Sequence, residues 1–344
     1  MNRINDVPIP RIKDVYEVVP SADGLPHIRS GDEIVLKVAG EKGPLLGQML
    51  LAIDGRKSIE QLVNEFQKVT DRATLLATVD FLFKEGIIEQ ADASDSSIPK
   101  HLREQAKYLS HYVADPKAAI KILANTNCLV VGEESLIRTL SDEMAFHGFD
   151  SIDTHATLFS NSERQRDEFE ELHTKVKLAD LVVVVHRTFS SCFCPDINRC
   201  CLKHRKPVLF ADLSSGNHGV VGPLCVPGQS SCYSCYESRL TADNETYHEH
   251  ADYEAFARVQ SSPKCSFGRL KALEPIVNSL VIVELISYLT GYRAPRTIDG
   301  TLIVDLFQTE IYHEPVLKMP GCGVCDSIRE SPARNIQDCV YESN

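Results

Sequence analysis

The chain has 344 residues, 24% of them charged and 43% hydrophobic, a globular balance over a length that exceeds one ordinary core, so two domains are expected. Its net charge of −12 speaks against a general binder of nucleic acid or anionic membrane and favours a basic or apolar partner. Residues 1–12 carry neither a secretory nor a lipidation signal, which implies a cytoplasmic chain whose twelve cysteines serve metal ligation, packing or redox chemistry and not a disulfide framework.

Taken in chain order, residues 34–39 form a short run rich in β-branched side chains, a strand, closed by the glycines of residues 40–43. Residues 45–53 carry a helical apolar face that stops at Asp54-Gly55. Ser58, with Gln61 three residues on, has the spacing of a capping box for a helix over 59–66. Thr70 or Asp71 caps a third helix to about Lys84, with Leu75, Leu76, Val79, Leu82 and Phe83 on one side, and Gly86 ends it before a short strand at 87–89.

Strand, three helices and closing strand make a winged-helix pattern of roughly ninety residues. A DNA-binding role is one reading of it. The third helix, however, has only Arg72 and Lys84 as cations against Asp71, Asp80 and Glu85, too few to meet phosphates. Through residues 51–62 and 81–88 the module resembles the PqqD-like leader-peptide recognition element of ribosomally made, modified peptides. The resemblance implies a leader peptide added to the strand Glu33, Ile34, Val35, Leu36, Lys37 and Val38, with Leu75, Val79, Leu82 and Phe83 as apolar contacts. These four helical positions compete with a plain core role.

Residues 92–100 have linker composition, and a polar helix is expected over 101–113. The domain plan is therefore 1–95 for the winged helix, 96–126 for linker and helix, 127–330 for an α/β domain and 331–344 for a tail. The second domain opens on a buried strand at 128–132 ending in Gly132, followed by a helix to about Phe146. Buried strands at 181–185 and 207–211 flank a helix near 196–203, the alternation of a parallel sheet. The apolar run 276–289 is too short to cross a bilayer and reads as a buried helix.

Cys232-Tyr-Ser-Cys235 and Cys322-Gly-Val-Cys325 form two C-x-x-C knuckles beside turn residues, the spacing of a tetrahedral four-thiolate Zn²⁺ site. A closed shell leaves no position for substrate, so the zinc is expected to be structural; a redox-active C-x-x-C is the competing reading. Cys192, Cys194, Cys200 and Cys201 have awkward ligand spacing and read as packing thiols, as does Cys128, while Cys225, Cys265 and Cys339 have no partner at ligand spacing. His248 and His250 sit in an acidic loop and read as solvated surface.

From residue 127 to 325 the chain resembles the ubiquitin-activating-enzyme-like, ThiF-type adenylating fold, through the opening strand, the segment Gly222-Pro-Leu-Cys-Val-Pro-Gly228, the helix over 273–289 and the two knuckles, which bind zinc in that family. Residues 153–165 resemble its nucleotide element, so that, with Gly132 opening the first loop, Asp153 would meet the ribose and Asn161 and Arg164 the phosphates. The resemblance then breaks. Glu133 and Glu134 stand where that family has phosphate-binding glycines, His186-Arg187 where it has a magnesium-binding aspartate, and after Arg164 little room remains for the insertion and helix carrying its ATP-binding lysine. ATP binding is therefore not expected.

A winged-helix peptide reader joined to a degenerate ThiF-like Rossmann-type zinc domain resembles the leader-peptide-binding partner proteins of azoline-forming YcaO cyclodehydratases in microcin and bacteriocin biosynthesis. That resemblance implies a scaffold, not catalytic on its own, that binds a precursor-peptide leader and partners a separate YcaO-type cyclodehydratase, with homodimerisation a further expectation and neither nucleic acid nor membrane as partner. An ATP-dependent adenylating enzyme acting on a peptide carboxylate and a zinc-stabilised winged-helix DNA-binding regulator are the alternatives.

Overall fold

The computed structural model describes residues 9–21, 25–37, 43–67, 70–91, 98–157, 164–187, 193–242, 268 and 270–326. The chain divides into two compact units, Met1–Lys117 and Ala118–Asn344.

In the first unit β1 (Pro10–Ile12) pairs antiparallel with β5 (Ile88–Gln90), and Arg11 faces Glu89 across the pair in a 2.7 Å ion pair. A separate antiparallel sheet has the order β2-β3-β4, built from Glu17–Val19, His27–Ser30 and Glu33–Lys37. The β3–β4 hairpin turns over Gly31 and Asp32, with Gly31 at φ +56°, the left-handed conformation that a two-residue hairpin loop asks of its first residue. Three helices follow: α1 (Gly43–Ala52), α2 (Ile59–Phe66) and α3 (Arg72–Lys84).

The expected caps are present. Ser58 Oγ accepts from the Gln61 amide at 3.2 Å while Gln61 Oε1 accepts from the Ser58 amide at 2.8 Å. Of the two candidates before α3 it is Asp71 that serves, its carboxylate accepting from the Thr74 amide at 2.8 Å. The core of this unit joins Ile28 of the sheet to Met49, Leu50 and Ile53 of α1, Leu62, Val63 and Phe66 of α2, and Leu75, Val79 and Leu82 of α3. The polar helix expected over 101–113 is shorter, a 3₁₀ turn at Lys100–Leu102 running into α4 (Arg103–Leu109). Helix α5 (Pro116–Asn125) comes next in the chain.

The second unit is built on a seven-stranded mixed sheet. Its parallel part is β6 (Cys128–Gly132), β7 (Ile152–Ala156), β8 (Leu181–His186) and β9 (Val208–Asp212), in the order β7-β6-β8-β9. The valine-rich β6 and β8 are buried along their whole length, as strands covered on both faces must be. Helices α6 (Glu134–Phe146), α7 (Arg164–Leu178) and α8 (Cys194–Lys203) make the crossovers. An antiparallel extension follows, β10 (His218–Cys225), β11 (Gly300–Asp305) and β12 (Glu310–Pro315), with α9 (Tyr233–Ala242) and α10 (Leu273–Thr290) inserted between β10 and β11.

Two sequence expectations need correction. The interval after Arg164 has room for a helix, since the 15-residue α7 fills it almost to β8. Helix α10 is 18 residues long and apolar enough to pass for a membrane span by length and composition, so length does not exclude that role. Its packing identifies it as a core helix: Leu273, Val277, Val281 and Leu285 are fully buried, and so is Glu284. The Glu284 carboxylate accepts from Arg293 Nη2 and from the amide and hydroxyl of Thr297, each at 2.8 Å. Glu284→Ala leaves the buried Thr297 amide and hydroxyl without their acceptor and is expected to destabilise the unit by about 1–3 kcal/mol in urea unfolding, with Glu284→Gln, which keeps an acceptor, milder.

Candidate functional site

The topology explains how two knuckles far apart in sequence meet. Strands β10 and β12 both run antiparallel to β11, so they leave the sheet at the same end. Cys232 follows the last residue of β10, Cys225, by seven positions, and Cys322 follows the last residue of β12, Pro315, by the same seven. The two exits are tied together by Asp299, whose carboxylate accepts from the Ser231 amide at 2.6 Å and whose carbonyl accepts from the Val316 amide at 2.8 Å.

Cys232, Cys235, Cys322 and Cys325 converge with Sγ–Sγ distances of 3.8 Å (232–235), 3.9 Å (232–322) and 3.6 Å (235–325), and all four side chains are buried. A tetrahedron of thiolates bound at about 2.3 Å has edges of about 3.8 Å. The cluster therefore has the size to hold one metal ion. Part of its surroundings suits thiolates: Cys235 lies in the first turn of α9, at the positive end of that helix, and its Sγ accepts from the Met319 amide at 3.3 Å. Burial pushes the Cys322 thiol up, but amide hydrogen bonds from Cys325 and Val324 outweigh it and bring it down to about 7, whereas burial first, then the neighbouring thiols, push Cys232 and Cys325 up, so it takes a bound cation to hold all four as thiolates.

The remaining described cysteines do not join this set. Cys194 and Cys201 are packed in the same core, and burial pushes Cys128 up to about 12 and Cys200 up to about 11, so neither of the latter is a ready nucleophile. Cys192, Cys265, Cys339, His248 and His250 lie outside the described residues.

A second region of interest is the crevice at the carboxyl ends of the parallel strands. The order β7-β6-β8-β9 reverses between β6 and β8, the point at which such sheets bind ligands. Here that point is filled by charge pairing. Glu133, the residue before α6, turns its carboxylate to Arg187 just beyond β8, accepting from the Arg187 amide at 3.2 Å and pairing with Nε at 3.3 Å. The same guanidinium reaches Glu274 at 3.6 Å and the Ser135 hydroxyl at 3.1 Å. His186 faces Asp212 at 3.5 Å. Gly132 serves the close approach of the strands: a Cβ there would run into the carbonyl oxygen of Val185.

Of the other residues of the expected nucleotide element, the described one, Asp153, does not reach this crevice. Asp153 pairs with Leu129 in the register, three positions before the level of Gly132 and Ala156, roughly 10 Å back along the strand. Its carboxylate meets Lys175 of α7 at 3.3 Å. Asn161 lies outside the described residues, as does the side chain of Arg164.

In the first unit β4 is the outermost strand of its sheet, and the side away from β3 has no strand partner among the described residues. Ile28 pairs with Leu36 and Arg29 with Ile34, which leaves Val35 as an extra, bulged residue. As a result Ile34 and Val35, each 43% exposed, both turn outward, while Leu36 packs on the core and Glu33 and Lys37 are exposed. Val38 lies outside the described residues. On α3 the structure separates the four expected contacts: Leu75, Val79 and Leu82 are core residues, 3%, 4% and 2% exposed, and Phe83 is half-buried. Phe83 packs against that core, and the exposed apolar residues of α3 are Leu76 and Phe81, 39% and 47% exposed.

No curated protein matches the chain. Among solved structures, the heterocyclase TruD superposes with a TM-score of 0.68 at 17% identity, covering 92% of this chain and 43% of that one. A heterocyclase in complex with substrate and cofactor gives 0.67 at 15% identity, over 92% and 39%. The chain thus spans about two fifths of the length of these heterocyclases. MccB of E. coli, solved with AMPCPP and MccA, gives 0.61 at 14% identity over 92% of this chain and 99% of that one. At such identities the likeness is one of fold. Residues 157–324 match the ThiF family, a stretch of the second unit that runs from the residue after β7 to Val324, between the two cysteines of the second knuckle.

Proposed function

We propose that this protein is a leader-peptide-binding scaffold for the modification of a ribosomally made peptide, presenting the peptide's Cys, Ser and Thr residues to a separate YcaO-type, azoline-forming cyclodehydratase. The observation that carries this reading is the open edge of β4 with its outward pair Ile34 and Val35. An extended peptide gains main-chain hydrogen bonds on such an edge and sets alternate side chains against the apolar pair. In this reading the first unit works as a PqqD-like winged helix, with Leu76 and Phe81 as the exposed apolar positions of α3 and Phe83 half-buried against the core. The fold-level likeness to two heterocyclase chains agrees with it. The four cysteines hold a structural Zn²⁺, because a closed thiolate shell of this size leaves no ligand position for chemistry.

Full-length protein and a fluorescently labelled leader of a precursor peptide encoded beside it test the proposal by anisotropy. Saturable binding competed by unlabelled leader, and faster heterocyclisation when the chain is added to the cyclodehydratase, are the expected results. A peptide that binds no better than its scrambled sequence sinks the idea.

A second reading, an enzyme that adenylates a peptide carboxylate, is favoured by one observation: the likeness to MccB extends over 99% of that chain. Against it stands the Glu133–Arg187–Glu274 cluster at the switch point, which sets carboxylates where triphosphate oxygens would need amide donors. Calorimetry with ATP and Mg²⁺ on the chain alone is expected to give no saturable heat. A fitted isotherm with pyrophosphate exchange would transfer the chemistry to this protein.

A further inference from the structure

A second set of metal-ligating side chains lies on the helices that cover the sheet, apart from the four-cysteine cluster. Helix α7 packs against α8. From α8 and the residue that caps it come Cys200 and His204, four residues apart and so on one face of the helix. From α7 comes His173. The ligand atoms of these three side chains all lie within 4.8 Å of one another. His204 Nε2 stands 2.9 Å from His173 Nδ1, with the two rings edge to face at 4.7 Å between centroids. Cys200 is buried, whereas both histidines are partly exposed, so the group has an inner soft ligand and an outer rim open to solvent.

We propose that Cys200, His173 and His204 form a second, three-ligand site for a borderline transition-metal ion of the Zn²⁺ class, with water in the fourth position, that clips α7 to α8. Thiolate plus two imidazoles is a donor set that suits zinc and discriminates against Mg²⁺ and Ca²⁺. Two imidazole nitrogens bound at about 2.0–2.1 Å in a tetrahedron sit about 3.3 Å apart, so the rings need to separate by a few tenths of an ångström and to tilt until both lone pairs meet at the ion, with Cys200 Sγ drawn in from within 4.8 Å. Binding replaces the contact between the rings by two metal–nitrogen bonds, the proton of that contact moving to the donor ring's other nitrogen, and expels the Cys200 thiol proton to solvent against the burial that holds it on. Burial first, then His173 and the neighbouring cations Lys203, Lys177 and Lys206, disfavour protonation of His204, which leaves its ring nitrogen open to a metal. The same lysines oppose a cation, which the Cys200 thiolate offsets in part. The ion is therefore expected to bind more weakly than the one in the closed shell.

The test is metal stoichiometry of the full-length protein after equilibration with Zn²⁺ and removal of loose metal by gel filtration. A second equivalent beyond that of the four-cysteine cluster is expected. It should vanish in His173→Gln and in His204→Gln while the first equivalent stays. Should a substitution at these helices unfold the domain, Zn²⁺ titration of the unmodified protein followed by imidazole nitrogen NMR supplies the answer. Loss of the paired His173 and His204 resonances into a new, slowly exchanging set supports the site. A single equivalent, untouched by the histidine variants, with both ring signals unmoved by Zn²⁺, overturns the proposal and leaves a plain imidazole–imidazole hydrogen bond.

Discussion

Cys322→Ser should release the metal from the four-cysteine cluster and abolish the cooperative folding of the second unit. Structural zinc in four-ligand sites contributes an apparent 10–16 kcal/mol, in order of magnitude, to folding at neutral pH, whereas a whole domain is stable by about 5–15 kcal/mol. The position of the cluster makes the coupling tight. Its four cysteines belong to the same buried group as Leu129 and Val131 of β6, Val182 and Val184 of β8, and Phe210 of β9, so an ion held there would be part of the core of the sheet and not a surface clip. The ring of Tyr233, between the two ligands of the first knuckle, packs on Phe210 at 4.5 Å, and its amide donates to the buried Asn198 side chain at 3.2 Å. Loss of the ion thus releases α9 from α8 and β9 together. Cys225→Ala is the control: that thiol is equally buried in the same group but outside the ligand set, so removing it takes away packing alone. Metal content of the purified proteins and their thermal unfolding decide the matter. A Cys322→Ser protein that keeps its metal, or melts close to the unmodified chain and to Cys225→Ala, refutes a structural ion at this site.

The parts legible in the sequence are those in which one physical signal acts alone. The two C-x-x-C knuckles need no knowledge of the fold, because two thiolates at that spacing can reach one ion wherever they sit. The buried strands β6 and β8 stand out as unbroken apolar runs, and the caps of α2 and α3 as side-chain oxygens three residues before an amide in need of one. What escapes depends on pairing across distance. Strands β1, β2 and β3 are three or four residues long, too short for alternation to register, although the Gly31-Asp32 pair is a readable two-residue turn signal. The pairing of Glu133 with Arg187 is invisible in sequence, since 54 positions separate them. The same holds for His173 and its partners on α8, although the i, i+4 spacing of Cys200 and His204 on a helical stretch is a usable cue. Inward and outward positions of α3 cannot be told apart from sequence because the helix is apolar on more than one side, with Leu76 and Phe81 exposed and Leu75, Val79 and Leu82 in the core.

That last separation sharpens the prediction for peptide binding. Val35→Pro should weaken leader binding about 30-fold while leaving the fold of the first unit in place. A proline on β4 withdraws an amide donor from the ladder and bars close approach of an added strand. Two main-chain hydrogen bonds lost at about 1 kcal/mol each correspond to that factor, since about 1.4 kcal/mol is tenfold. Val35 is the place to put it, because the bulge leaves it without a partner on β3 and its side chain lies outside the core, so the β3 pairing and the packing of Leu36 on the core are left alone. Ile34→Asp should act at the other level, keeping the amide but setting a carboxylate where apolar peptide side chains would rest. Leu75, which faces the core together with Val79 and Leu82, is the contrasting case. Leu75→Ala opens a cavity and is expected to lower stability by about 2–5 kcal/mol, with leader affinity of the remaining folded protein unchanged. Anisotropy titrations paired with thermal melts distinguish the two classes. If Leu75→Ala weakens binding in proportion to the β4 variants at equal folded fraction, the peptide enters between α3 and the sheet and the open edge is not its site.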